Sequence, residues 1–119
     1  MNNVDVVVRF EEEFKNKANL DIVDELMSPE FVHHLPYPGL RAGRLGMKDV
    51  GHLVFGAIRD IKVTIDLTLS EGDLVADRIS AHGVRNDNDQ QTSWTENHIY
   101  RVLNGMITEL WPGGGPEIG

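Results

Sequence analysis

The sequence predicts an α+β fold in which N-terminal helices cover one face of a curved antiparallel β-sheet. Three observations carry this. Apolar residues recur at helical spacing only in the first half of the chain. Strict period-two alternation takes over from Ile61. The strands are then joined by short turns, Ser70 to Asp73 and Asn104-Gly105, which suit an antiparallel meander. A sheet that bends around its helices encloses a pocket on its concave side.

The first helix is expected from Val4 to Lys17, with Val7, Phe10 and Phe14 inward. Glu11, Glu12, Glu13 and Lys15 cover its other side, and the acidic triplet reads as a solvated face. Asn19 can cap a short second helix in which Leu20, Val23, Leu26 and Met27 share a face before Pro29. The stretch Phe31 to Leu40 then reads as a loop. A third helix is expected from about Met47 to Ile58, with Met47, Val50, Val54 and Ile58 inward. Gly51 and Gly56 weaken it by about 1 kcal/mol each relative to alanine.

In the first strand Ile61, Val63, Ile65, Leu67 and Leu69 alternate with Lys62, Thr64, Asp66 and Thr68. Leu74 to Val84 reads as the second strand, Arg85 to Gln91 as a solvated loop, Thr92 to Leu103 as the third strand and Met106 to Trp111 as the last. The tail from Pro112, "PGGGPEIG", is expected to leave the sheet and to be mobile from about residue 113.

A chain of 119 residues is read as a single domain spanning 1–119. Its net charge of −8 repels phosphate backbones and anionic membranes, so neither nucleic acid nor membrane is an expected partner. With no cysteine, disulfides, thiolate metal sites and cysteine nucleophiles are excluded. Val6 to Val8 is too short for a signal-peptide core, and a cytoplasmic protein is the default expectation.

The third strand is the most informative. Trp94, Glu96, His98, Tyr100 and Val102 share one face, and Glu96 and His98 lie roughly 6.5–7 Å apart along the strand. A carboxylate beside an imidazole can raise its pKa or fix its tautomer, which suits proton transfer. A surface ion pair with aromatic neighbours fits the same spacing. In the second strand Leu74, Ala76, Arg78, Ser80 and His82 share a face that could line a polar pocket or meet solvent. The adjacent His33 and His34 point to opposite sides of an extended segment, so no metal site is expected there. No Gly-x-Ser-x-Gly elbow and no phosphate-binding glycine loop is present.

Several strings, in this order, resemble the SnoaL-like polyketide cyclases of the nuclear transport factor 2-like, cone-shaped α+β superfamily. "FEEEFKNKANLDIVDELMSPEFVHH" is similar to that family's opening helices and first pocket wall, "GLRAGRLGMKDV" to the lead into its third helix, and "HIYRVLNGMITELW" to its final hairpin. The resemblance covers Val6 to Trp111 and implies a conical cavity open to one side and a homodimer through the sheet. It also implies metal- and cofactor-free aldol chemistry, with an acid/base aspartate on the last strand and an enolate-holding histidine on the preceding one. His98 matches that histidine, Phe14 an aromatic pocket residue, and His34 a polar position after the second helix. The aspartate position falls on Pro112, which cannot transfer protons.

These readings give an expected cofactor-free enzyme, a cyclase or isomerase acting on an apolar carbonyl compound. Its catalytic residues would be His98, Glu96 and His34, with His34 or Arg78 bonding the developing oxyanion. Phe14, Phe55, Arg78, His82, Trp94 and Tyr100 would contact substrate. Pro36 and Pro38 would stiffen the turn at the cavity mouth. The alternative is a non-catalytic binding or dimerisation module, which Pro112 favours. An epoxide hydrolase relative would need an Asp-Arg-Asp set, and the adjacent Asp77 and Arg78 point apart.

Overall fold

The computed structural model describes residues 2–34 and 37–118. Helix α1 (Asn3–Glu11) starts at a reciprocal cap: Asn2 Oδ1 accepts the Asp5 N–H at 2.8 Å, and the Asp5 carboxylate accepts the Asn2 N–H. The helix widens into a π turn over Glu12–Asn16, a form that often marks functional sites. Asn16 ends it by exchanging two hydrogen bonds with the backbone of Val63, which ties the helix to the sheet. Helix α2 (Ile22–Leu26) leads directly into strand β1 (Met27–His33), and helix α3 (Gly43–Ala57) follows. Strands β2 (Ile58–Glu71), β3 (Leu74–Arg85), β4 (Gln91–Leu103) and β5 (Met106–Gly114) form the antiparallel meander.

The sheet order is β1-β5-β4-β3-β2, with β1 parallel to β5 and every other pair antiparallel. The helices bury their apolar stripes against the inner face. Val6, Val7, Phe10, Ile22 and Val23 meet Tyr100, Ile107 and Leu110 in the larger core cluster. A smaller cluster, Ile58, Ile61, Val63, Ile79 and Ala81, sits under the far end of the sheet. Phe55 packs against both, and a cavity lies where the two approach without merging.

The expected α+β architecture is present, with four local differences. The segment read as the end of the second helix and a loop contains β1, because Phe31 and Met27 are buried against β5 and outweigh the breaking tendency of Pro29. Leu67 and Leu69 do not share the face of Ile61, Val63 and Ile65. The register slips by one residue between Ile65 and Leu67, and such a bulge moves every following side chain to the opposite face. Helix α3 begins four residues earlier than expected, at Gly43. Strand β5 runs through Pro112 to Gly114, paired with β4. The His34 N–H meets the Leu110 carbonyl at 2.9 Å, so two residues on the Pro112 nitrogen points to the same side, past the end of β1. No ladder bond is lost there, which is where a strand tolerates proline. Pro36 lies outside the described residues. No helix among the described residues is long and apolar enough to cross a membrane.

Candidate active site

The cavity holds about 690 Å³ of space between atoms, its open mouth included. Phe10, Phe14, Val54, Phe55, Ile61 and Leu110 form apolar walls. Its polar groups are few: Lys15 from the π turn, Trp94, Glu96 and His98 from β4, and Tyr37 from the segment before α3. Beneath them lie Glu11 and Asp77, both with no side-chain exposure.

These groups form one connected network. His98 Nδ1 lies 2.7 Å from Asp77 Oδ1, and Nε2 lies 2.9 Å from Glu96 Oε1. Both ring nitrogens therefore face carboxylate oxygens, and only the imidazolium can donate to both. Glu96 is held further by the Trp94 indole N–H at 2.7 Å and by Lys15 Nζ at 3.0 Å. Lys15 Nζ also sits 2.9 Å from Glu11 Oε2. The Tyr100 hydroxyl donates to Glu11 Oε1. Asp77 Oδ2 is buried without a hydrogen-bond partner among the described residues.

The ionisation states follow from competition between burial and these partners. Burial and the Lys15 charge oppose the His98 imidazolium, but the hydrogen bonds to Asp77 and Glu96 and the Glu11 charge outweigh them and raise its pKa. Burial also opposes the Glu96 carboxylate. Lys15, His98 and Trp94 more than compensate and hold its pKa well below the usual carboxylate range. For Lys15 the desolvation penalty is overcome by Glu11 and Glu96, so it stays an ammonium beyond the ordinary lysine range. Asp77 is the opposite case: burial raises its pKa more than the His98 hydrogen bond lowers it. Burial and the Glu11 charge push Tyr100 well above the usual phenol range.

Of the residues expected at the site, His98, Glu96, Trp94, Tyr100, Phe14 and Phe55 line the cavity. Three do not. His34 is exposed outside β1, 2.8 Å from Glu109 and stacked on Trp111 with ring centroids 5.3 Å apart. Arg78 and His82 project from the outer face of β3, because Val75, Ile79 and Ala81 claim its inner face. Arg78 lies 3.6 Å from Asp66 there, and His82 meets solvent.

Sequence reasoning missed Glu11, Lys15 and Asp77. The acidic triplet is not wholly a solvated face, since Glu11 is fully buried while Glu12 is exposed. The available signal was that Glu11 and Lys15 continue the stripe of Val7, Phe10 and Phe14. For Asp77 it was alternation with Val75, Ile79 and Ala81. Glu11, Asp77 and His98 each offer one atom within 4.8 Å of the others, a spacing compatible with a metal ion. Glu11 Oε1 already accepts from Tyr100, Asp77 Oδ1 and His98 Nδ1 already face each other, and Lys15 supplies a positive charge beside Glu11.

Comparison with known proteins gives a consistent picture. No curated protein matches significantly. Among solved structures, IdmH from Streptomyces antibioticus, described as a candidate polyketide cyclase, is 26% identical with a TM-score of 0.85, covering 96% of this chain and 92% of its own. A candidate polyketide cyclase from Bacillus cereus ATCC 10987 is 24% identical with a TM-score of 0.85, covering 94% of this chain and 73% of its own. AclR from Streptomyces galilaeus, described as a candidate hydroxylase, is 18% identical with a TM-score of 0.81, covering 98% and 90%. The last two show the shared fold alone, and that fold carries more than one chemistry. The profile of the SnoaL-like polyketide cyclases matches residues 5–112, almost the whole chain. With its helix-covered open sheet, this chain belongs to the SnoaL-like polyketide cyclase family.

Proposed function

We propose that the protein is a cofactor-independent enzyme that moves protons on an apolar, carbonyl-containing small molecule, leading to aldol cyclisation or isomerisation. The observation that carries this reading is His98, whose two ring nitrogens lie 2.7 Å and 2.9 Å from the Asp77 and Glu96 carboxylates at the floor of an apolar cavity. In the proposed step the His98 Nε2 proton passes to the substrate carbonyl oxygen while Glu96 takes a proton from the α-carbon. The product is an enol, with His98 neutral and Glu96 protonated. Losing the imidazolium charge removes one of the causes that hold the Glu96 pKa down, so the carboxylate becomes a better base as the step proceeds. In cyclisation the enol carbon attacks a second carbonyl, whose oxygen takes up a proton as the enol oxygen releases its own; in isomerisation another carbon of the enol system takes up a proton as the oxygen releases its own. Transfer from Glu96 to His98 across their 2.9 Å contact restores the resting pair.

Phe14, Phe55 and Trp94 would position the substrate. His34 and Arg78 have no part in this mechanism, since both lie outside the cavity. The test begins with a thermal-shift screen against aromatic polyketides, enones and steroids, in which a ligand of the native state raises apparent stability. On the substrate so found, His98→Ala should lower turnover by about 10²–10⁴-fold while the fold persists. Unchanged turnover sinks the assignment.

A second reading, a binding module without turnover, is favoured by Pro112, which pairs with His98 across the sheet and lines the cavity where the resemblance places a catalytic aspartate. Ligand binding without conversion would select it. We also propose a homodimer through the outer sheet face. Leu69, Ala76, Ile99 and Trp111 form a row across four strands there, and Leu69 and Ile99 are exposed.

A further inference from the structure

Lys15 is the residue in the cavity whose presence the proposed proton transfer leaves unexplained. It reaches the floor from the π turn, and its side chain is only 14% exposed. Burying an ammonium is costly unless partners compensate. Glu11 and Glu96 do so here, and they hold it protonated beyond the ordinary lysine range. It therefore serves neither as a base nor as a Schiff-base nucleophile near neutral pH, and what remains is its capacity to donate.

An ammonium has three N–H groups. One points to Glu96 Oε1 at 3.0 Å, and the contact with Glu11 Oε2 at 2.9 Å is ionic and off the line of a good hydrogen bond. The third neighbour is His98 Nε2 at 3.5 Å, but that nitrogen is itself protonated while it donates to Glu96. At least one N–H of Lys15 is thus left without an acceptor among the described residues, in a group that lines the cavity. A donor left over beneath apolar walls is the arrangement that receives an oxygen on which negative charge develops.

We propose that Lys15 is a further catalytic residue, whose free N–H binds the substrate carbonyl oxygen and stabilises the negative charge that develops there ahead of the proton from His98. This rests on the carbonyl reading above. The ligand class that follows is one with an ionisable oxygen on an apolar frame, such as a phenol or a 1,3-dicarbonyl compound. Glu96, His98, Tyr37 and Tyr100 line the same space, and Glu11 and Asp77 lie behind it.

The test uses 4-nitrophenol, whose phenolate is read by its visible absorbance, bound to the intact protein across a pH series. The bound probe should ionise about one pH unit or more below the free probe, a tenfold preference for phenolate. In Lys15→Met that shift should vanish, while affinity for the non-ionisable nitrobenzene persists. Because that change strips Glu11 and Glu96 of their cation, the double variant Lys15→Met/Glu11→Gln is measured beside it, with a thermal melt to verify folding. A shift that survives in both Lys15 variants but vanishes in His98→Asn overturns the role of Lys15 and leaves the His98 reading standing. No shift in the unaltered protein, or no binding of the probe, overturns both.

Discussion

Two histidine–carboxylate pairs of nearly equal length sit on opposite sides of this sheet. His98 and Asp77 lie 2.7 Å apart with side-chain exposures of 3% and 0%. His34 and Glu109 lie 2.8 Å apart with exposures of 44% and 26%. Distance does not distinguish them, so environment must. In the buried pair neither charge can be satisfied by water, and each depends on the other and on Glu11, Glu96 and Lys15. In the exposed pair, solvent replaces whichever partner is removed, and such pairs contribute about 0–1 kcal/mol. Carboxylate–imidazole contact is therefore weak evidence for a site, and burial beside a cavity is the informative part.

The largest difference between the pairs should come from removing their carboxylates. Asp77→Ala leaves a buried imidazolium without its main acceptor and should cost about 3–5 kcal/mol in denaturant unfolding. Pro112 faces His98 from the strand on its other side, so Pro112→Asp in the Asp77→Ala background should restore part of that loss. A cost below about 1 kcal/mol for Asp77→Ala would place the buried pair with the exposed one and break the contrast.

A smaller effect is the pH dependence of stability. The His98 pKa is raised in the folded state, so its contribution is fully present below its unfolded value of about 6.5 and is lost as pH rises through the folded value. Asp77, also raised, acts in the same direction from about 3.8 upward. Glu96 is depressed, so its contribution is present above about 4.5 and is lost as pH falls through its folded value. Unfolding free energies should thus decline as pH rises above 6.5, and His98→Asn should flatten that decline. Parallel curves for the two proteins would show that His98 does not carry the dependence.

The smallest effect is expected on the outside. His34→Ala should change stability by at most about 1 kcal/mol and leave turnover unaltered. A turnover loss comparable to that of His98→Ala would return His34 to the site.

What the sequence reveals divides along similar lines. The helices and the four-strand meander were readable because each buries a face whose period is written in consecutive residues, whereas β1, between α2 and α3, was not readable as a strand. The inner face of β4 was readable for that reason, since Trp94, Glu96, His98 and Tyr100 alternate without interruption. Glu11 and Lys15 were not. Their burial depends on partners more than eighty residues away, and a local pattern has no means of announcing a countercharge that distant. The bulge after Ile65 escaped for another reason, because Leu67 and Leu69 keep perfect alternation while the partner strand slips. Pro112 misled because its cost depends on whether a neighbouring strand is still present, and β1 has by then ended. The resemblance placed His34 at the site, but one residue past the end of β1 it turns to Glu109 and Trp111.

The slip after Ile65 also bears on how such a protein can change. Ile61, Val63 and Ile65 lie on the inner face of β2, whereas Leu67 and Leu69 lie outside, so one strand serves two environments. Deleting a single residue at Asp66 would return both leucines to the interior and strip the outer row of Leu69. Reapportioning apolar area between the inner and outer faces of the sheet thus requires no new hydrophobic residue, only the gain or loss of one codon. The apolar character of the sheet's two faces is coupled through that codon, and neither face can drift by insertion or deletion there without carrying the other along.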